Sequence, residues 1–505
     1  MTQVSRPSFA QRCGQGGANH HAAIERIAAQ IEDGGIELVR IAWCDLHGTI
    51  RGKTLTAQAA IKALSEGIGM VGTLMLKDTS DRTVFKVFEP GGTDSIPGFA
   101  GASNLMLLPD PHSFRVLPWV GNTGWIRGQP WFQDAKPVEL DTRRVLQRAL
   151  DQLAQRGLGL VCGLEVEFHI YRIRDRLHGP DLDAELADWP GLPPAVSLIH
   201  PGYNLLSEAW MDMAEEPLRI VQHTAQSLGL PLTSLEIELG PSQVEAVFEA
   251  TDALTAADNM VLFRSAVRQA LRRAGYHATF MCRPPFPHIM SSGWHLHQSV
   301  VALESGANMM MRDSPAPGST PQDAIFTLSD TGAAWLAGLL AHAPAMAALC
   351  APTVSGFARF QPNVLAPHAV VWGSDNRGAM LRVVGTAGDP STRIENRLGE
   401  PAANPYLYMA SQIYAGLDGL TRALHPPRAT NDPYGSQSSQ GTTATGLPGS
   451  LLQALTALRA DDALTSGLGA SFVDYFVRAK ESEIRRHAAA PDPVDFERRE
   501  YFSRI

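Results

Sequence analysis

The stretch Gly163-Leu164-Glu165-Val166-Glu167-Phe168-His169-Ile170-Tyr171 constrains the fold more than any other part of the chain. Polar and apolar residues alternate along it, which is the period of a β-strand. Glu165, Glu167 and His169 share one face; Leu164, Val166, Phe168 and Ile170 share the other. Carboxylates two residues apart on a strand lie roughly 6–7 Å from each other. Burying that face without a cation would set like charges against each other and strip both of water. A divalent cation beside each removes the conflict. The alternative is a solvated strand face that happens to be acidic, and periodicity alone does not say which face is wet.

Other alternating stretches repeat the problem. Residues 234–239 carry Glu236 and Glu238 and run into a Gly240-Pro241 turn; residues 243–248 add Glu245. Residues 292–299 place His295 and His297 on one face, and residues 393–398 place Arg393, Glu395 and Arg397 on one face. Arg359, Arg377 and Arg382 lie between these two stretches. Facing one another, the strands solve their common problem. Glu167, Glu238 and Glu245 can share one cation, and Glu165, His295 and Glu395 a second. Carboxylate-dominated ligation with a single imidazole favours Mg²⁺ or Mn²⁺ over Zn²⁺. Arginine forks suit phosphate and carboxylate groups. Acids, metals and arginines in one cleft describe a phosphoryl-transfer site, and with no Walker loop in the chain a sheet would hold the nucleotide.

A chain of 505 residues exceeds one ordinary core, so a small and a large domain are expected. Residues 1–20 are Gly-, Gln- and Ser-rich and read as disordered. The first block, 21–125, reads as a helix at 22–31, a strand at 37–43, a turn at 45–48 and then Arg51-Gly52-Lys53. A strand pair at 73–76 and 83–88 follows, joined by an exposed polar link at 77–82, then a strand from Asn104 stopped by Pro109. Gly, Pro and Trp at 121–137 mark a hinge. The second block, 137–505, opens with a helix at 142–155 capped by Asp141 and ended by Gly157. A polar loop at 174–198, helices at 217–227 and 256–273, and a helical region from about residue 451 complete it. A net charge of −9 without a Lys/Arg stripe argues against nucleic acid and anionic membranes as partners. No apolar run reaches spanning length, and the first residues lack an apolar signal core. Cys13, Cys44, Cys162, Cys282 and Cys350 form no C-x-x-C pair, which fits a reducing cytoplasm.

Six motifs, "GLEVEF", "ELGPSQVE", "SSGWHLHQS", "RFQPNVLAP", "NRGAMLR" and "TRIENRLGEPAANPY", occur in one order that resembles the glutamine synthetase superfamily, bacterial class I. "VRIAWCDLHGTIRGK" and "NLMLLPDPHSFRVLPW" extend the resemblance to nearly the whole chain. It implies an α+β fold: a small N-terminal β-grasp domain and a large catalytic domain with a curved antiparallel sheet flanked by helices. It also implies hexameric rings, usually stacked as a dodecamer, with active sites shared between neighbouring subunits. By motif, Glu167, Glu238 and Glu245 match one metal site, and Glu165, His295 and Glu395 another, within a set of two or three Mg²⁺ or Mn²⁺. Arg359, Arg377 and Arg397 match the groups that hold glutamate and the transferred phosphoryl group. Ser291 and Gly293 fall in the glutamate-binding loop, and His297, Ser299, Arg382 and Arg393 match ATP contacts.

The departures bear on the acceptor. Leu365 stands where ammonia-using enzymes carry a flap glutamate, and Asn104 stands where an ammonium-site aspartate is expected. Asp78 matches another such aspartate. Met290 and Ser291 replace the usual Asn and Gly, and Tyr434 lacks the context of an adenylylated tyrosine. The expected activity is ATP-dependent joining of the γ-carboxylate of L-glutamate to an amine: an apolar or aromatic amine such as aniline first, a polyamine second and ammonia third. A non-catalytic paralogue is the remaining alternative.

Overall fold

The computed structural model describes residues 6–174, 187–362, 365–435 and 445–505. Two sheets organise it. The first holds β1 (Leu38–Cys44), β2 (Ile50–Thr56), β3 (Ile68–Val71), β4 (Asn104–Pro109), β5 (Arg115–Val116) and β6 (Thr123–Trp131). Its order is β2-β1-β6-β4-β3, with β5 on β6, and β1 runs parallel to β6. The second holds β7 (Leu158–Ile173), β8 (Val196–Leu198), β9 (Leu232–Ile237), β10 (Gln243–Asp252), β11 (Tyr276–Thr279), β12 (Trp294–Ala302), β13 (Trp372–Ser374), β14 (Leu381–Val384) and β15 (Arg393–Gly399). Its order is β13-β14-β15-β12-β7-β10-β9, antiparallel except between β13 and β14, with β8 and β11 paired to the far half of β7.

The alternation in β7 sorts its faces as expected. Leu164, Val166, Phe168 and Ile170 are buried. Phe168 stacks on Phe280 with centroids 4.9 Å apart and meets Phe263 edge-on at 6.0 Å. Phe263 belongs to the helix Ala253–Arg273, whose Asp252 cap accepts the Thr255 N–H. One side of the sheet is thus tied to a helical layer, and the acidic side is left facing the cleft. The two sheets are locked to each other through Asp258 of that helix. It takes Arg127 of β6 at 2.5 Å, Arg143 at 2.9 Å and the Tyr406 hydroxyl at 2.7 Å.

Among the described residues no single helix is long and apolar enough to cross a membrane. The apolar pair Asp330–Ala341 and Ala343–Cys350 is bent by 75°. His342 sits at the bend and holds Asp461 at 2.6 Å and Asp418 at 2.9 Å, so the corner is an internal ionic joint.

Several expectations are corrected. Residues 9–12 and 18–20 are helical, not disordered: Ser8 and Gln11 form a capping box, and Phe9 packs against Leu108 and Trp131. Residues 1–5 of that expectation, and 175–186 of the expected 174–198 loop, lie outside the described residues. The segment 121–137 is no hinge, because β6 occupies it with Trp125, Ile126 and Trp131 in the core, and the small sheet runs past residue 125. The strand pair at 73–76 and 83–88 does not form. The edge of β4 is taken by β3, and Gly72–Leu76 winds into a 3₁₀ turn that buries Met75 and Leu76. A helix, Ala57–Glu66, lies just before and was not foreseen.

The 77–82 link is exposed at Arg82 but not at its centre, residues 78–80. Asp78 and Ser80 are fully buried, because the helix Ala470–Ala488, near the C-terminus, brings Arg486 onto Asp78 at 3.0 Å. Glu500 accepts from the Thr79 and Ser80 hydroxyls. Truncating the buried aromatic at the centre of the sheet–helix contact, Phe168→Ala, is expected to cost about 3–5 kcal/mol. A clear drop in the thermal midpoint checks this; an unchanged midpoint contradicts the packing described.

Candidate active site

Strand register assembles the site. Direct cross-strand partners point to the same face of a sheet. Glu245 on β10 pairs with Glu167 on β7, and Glu165 on β7 pairs with His295 on β12. His297 on β12 pairs with Glu395 on β15, and Arg382 on β14 pairs with that same Glu395. One stripe of charged side chains therefore crosses five strands. Glu238 joins it from just beyond the end of β9, its N–H donating to the Gln243 carbonyl at 3.0 Å.

The acids fall into two electrostatic classes. Burial, and then the charge of Glu167, pushes the Glu238 carboxyl up to about 8. Burial, followed by Glu167, Glu165 and Glu238, pushes Glu245 up to about 10. At the other end burial also opposes ionisation but is outweighed. His295, Arg397, His297 and Arg382 bring Glu395 down to about 2, and the two histidines hold Glu165 below the usual carboxylate range. Arg397 Nη1 reaches Glu395 Oε1 at 2.5 Å and Arg382 Nη1 reaches Oε2 at 3.0 Å. Burial and the Arg397 charge lower the His295 imidazole, which favours its neutral, ligating form.

These residues fit a divalent cation. His295 is buried, and neither ring nitrogen has a hydrogen-bond partner. Its Nδ1 lies 3.5 Å from Glu165 and 3.8 Å from Glu395, and its Nε2 lies 3.6 Å from Glu167. These gaps are too long for hydrogen bonds. Glu165, Glu245 and His295 offer donor atoms within 4.8 Å of one another, and so do Glu165, His297 and Glu395. The grouping differs from the expected division into 167/238/245 and 165/295/395. Glu165 belongs to both clusters because it sits at the crossing of the β10 and β15 ends of the stripe.

The other expected residues are placed unequally. Arg359 is buried and donates to the carbonyls of Arg397 at 2.8 Å and Gly399 at 3.4 Å. Its Nη2 lies where a side chain on Gly293 would project, so any larger residue there would displace the Arg359 guanidinium. Ser291 is held by Arg283 at 3.1 Å. His297 Nδ1 receives Arg393 Nε at 3.0 Å, and Ser299 Oγ donates to the Thr392 carbonyl at 3.2 Å. Glu165, His297, Ser299 and Arg393 line a cavity of about 200 Å³ with Val247 and Phe248. Leu365 is exposed at φ +56°, and its carbonyl accepts from Arg397 Nη2 at 3.3 Å. Arg377 is not gathered into the cluster; it is exposed in the turn between β13 and β14. Asn104 is exposed at the start of β4.

Sequence reasoning passed over Gln243. It lies two residues before Glu245 and so on the same strand face, but carries no charge to mark it as part of the site.

Residues 139–499 match the family model described as glutamine synthetase, catalytic domain. A γ-glutamylanilide synthase of an Acinetobacter species is 36% identical over 498 residues, covering 95% of this chain and 96% of that protein. A glutamine synthetase of Thermococcus kodakarensis is 31% identical over 489 residues, covering 94% and 96%. The solved structure of a GmaS–ADP complex superposes with a TM-score of 0.73 at 27% identity, covering 94% of this chain and 98% of that one. The chain belongs to the glutamine synthetase family.

The raised acids give a pH signature. Glu238 and Glu245 ionise near 4.5 when unfolded but only near 8 and 10 when folded. The stability that these two protonated acids contribute is therefore whole below about pH 4.5 and is lost as the pH rises through the folded values. Without cations the thermal midpoint is expected to fall between pH 5 and 8. Mg²⁺ or Mn²⁺ should raise it by about 2–4 °C or more, and by more at pH 8 than at pH 5. A midpoint indifferent to cations at both pH values contradicts this.

Proposed function

We propose that this chain, a ligase of the glutamine synthetase family, joins the γ-carboxylate of L-glutamate to an organic amine, using ATP. The observation that carries the reading is the stripe of Glu245, Glu167, Glu165, His295, His297 and Glu395 across β10, β7, β12 and β15, with arginines at its β14–β15 end. Divalent cations held by Glu165, Glu167, Glu238, Glu245, His295 and Glu395 would neutralise phosphate charge and orient the carboxylate. The residues themselves supply position. Ser299 and Arg393, beside His297, line the cavity suited to the nucleotide. Arg359 and Arg397, with the 291–293 loop beside them, are the groups that would take the glutamate carboxylates. ATP phosphorylates the γ-carboxylate; the amine then attacks the acyl carbon, and phosphate leaves.

An ammonium site needs negative charge and a base. Here the flap position is Leu365, an exposed apolar side chain. The Asp78 carboxylate is committed to the Ser80 and Arg82 N–H groups and to Arg486. An acceptor site without those free carboxylates suits an amine with an apolar body. An arylamine is mostly neutral at pH 7 and attacks without a strong base. The similarity to a γ-glutamylanilide synthase supports the same acceptor class. Polyamines rank second and ammonia third.

Hexameric rings stacked as a dodecamer are the proposed assembly, checked by light scattering of the purified protein; a stable, fully active monomer contradicts it. For the acceptor, aniline or isopropylamine is expected to give a higher kcat/KM than putrescine or ammonia. Leu365→Glu should move the preference toward ammonia by about tenfold or more, since one well-placed charge is worth about 1.4 kcal/mol or more. Ammonia as the best acceptor of the wild-type protein overturns the ranking. An unaltered preference in Leu365→Glu overturns its physical reason.

A further inference from the structure

The carboxamide of Gln243 touches three parts of the site at once. Its Oε1 accepts the Gly240 N–H at 2.9 Å. Its Nε2 donates to Glu167 Oε2 at 2.8 Å, with Ser292 Oγ at 3.1 Å and the Ser291 carbonyl at 3.4 Å. The side chain is 2% exposed. A carboxamide joins an acceptor and a two-hydrogen donor in one planar group. The Gly240 N–H fixes its orientation, because the flipped amide would set two donors against each other and a carbonyl against a carboxylate.

The consequence falls on Glu167. Its Oε2 also accepts the Gly293 N–H at 3.0 Å, so both protein donors use the same oxygen. The other oxygen, Oε1, is turned toward His295 Nε2, 3.6 Å away. The Gln243 backbone acts alongside: it donates to the Gly240 carbonyl at 3.1 Å and its own carbonyl accepts the Glu238 N–H at 3.0 Å. One residue thereby closes the turn that carries Glu238 and braces the carboxylate of Glu167.

We infer that Gln243 is a positioning residue: it commits Glu167 Oε2 to protein donors, leaves Oε1 as the single oxygen offered to a cation, and ties that carboxylate to the 291–293 loop. The inference rests on the two-cation reading above. Partners that orient a metal-binding side chain are typically worth 10–100-fold in affinity.

Mn²⁺ titrations of the full-length protein, followed by electron paramagnetic resonance, test it on Gln243→Glu and Gln243→Met. Glutamic acid keeps the shape and adds a charge against Glu167; methionine is close in volume and donates nothing, and it carries the test alone if the first variant does not fold. Each folded variant is expected to bind Mn²⁺ at least tenfold more weakly at one site, and to raise the KM for glutamate more than it lowers kcat. Thermal midpoints in the absence of cations report separately on folding. Variants that are destabilised yet bind Mn²⁺ like the wild type overturn the assignment and leave the two-cation reading standing. A wild-type protein that binds no Mn²⁺ overturns that reading, and this inference with it.

Discussion

The pairing of Glu245 with Glu167 across β10 and β7 places like charges opposite each other in a buried region, an arrangement that disfavours the sheet. Everything around it answers that conflict. Glu238 and Glu245 remain protonated to an unusually high pH. Glu395, two strands along, is instead surrounded by Arg382, Arg397 and the histidines and stays ionised. The stripe thus has an end with surplus negative charge and an end compensated by arginine, a division of charge that suits cations at one end and anions at the other.

The opposite face of β7 makes the conflict tolerable. Phe168, Val166 and Ile170 bury against the helix Ala253–Arg273 and its neighbours, so the register of the sheet is held by apolar packing that does not depend on a cation. Slipping the register by one residue would send the acids into that core. The Asp258 cluster then fixes the small sheet to the same helix. The C-terminal segment reaches back through Arg486 of the helix Ala470–Ala488 and Glu500 of the helical turn Arg498–Phe502 to clasp the 77–82 loop. Elements distant in sequence are joined by buried ion pairs with several hydrogen bonds each, which breaks down sharply if one partner is lost.

Period-two alternation announced β7, β10, β12 and β15, since each has one face that must be apolar and one that is charged. Helices with a capping residue and an apolar stripe, such as Thr142–Ala154 with Asp141, were equally legible. Glu165, Glu167, Glu245, His295 and Glu395 followed directly from those faces. The failures have a common cause. The segments 72–76 and 121–131 and the 77–82 loop contain no dominant period, and their fate depends on which edge or cavity a distant segment fills. Gly, Trp and Pro at 121–137 read as punctuation, but Trp125 and Trp131 are core side chains.

Local sequence therefore determined which residues are charged, which faces they share and which strands need a common solution. Tertiary structure decided the order in which the strands lie. That order makes Glu165 common to both candidate clusters, leaves Arg377 outside them, and sets the uncharged Gln243 between Glu167 and the Gly240 turn. The physical reason is that alternation specifies a face within one strand, whereas distances of 3 to 4 Å between strands are set by register and by the packing beneath the sheet.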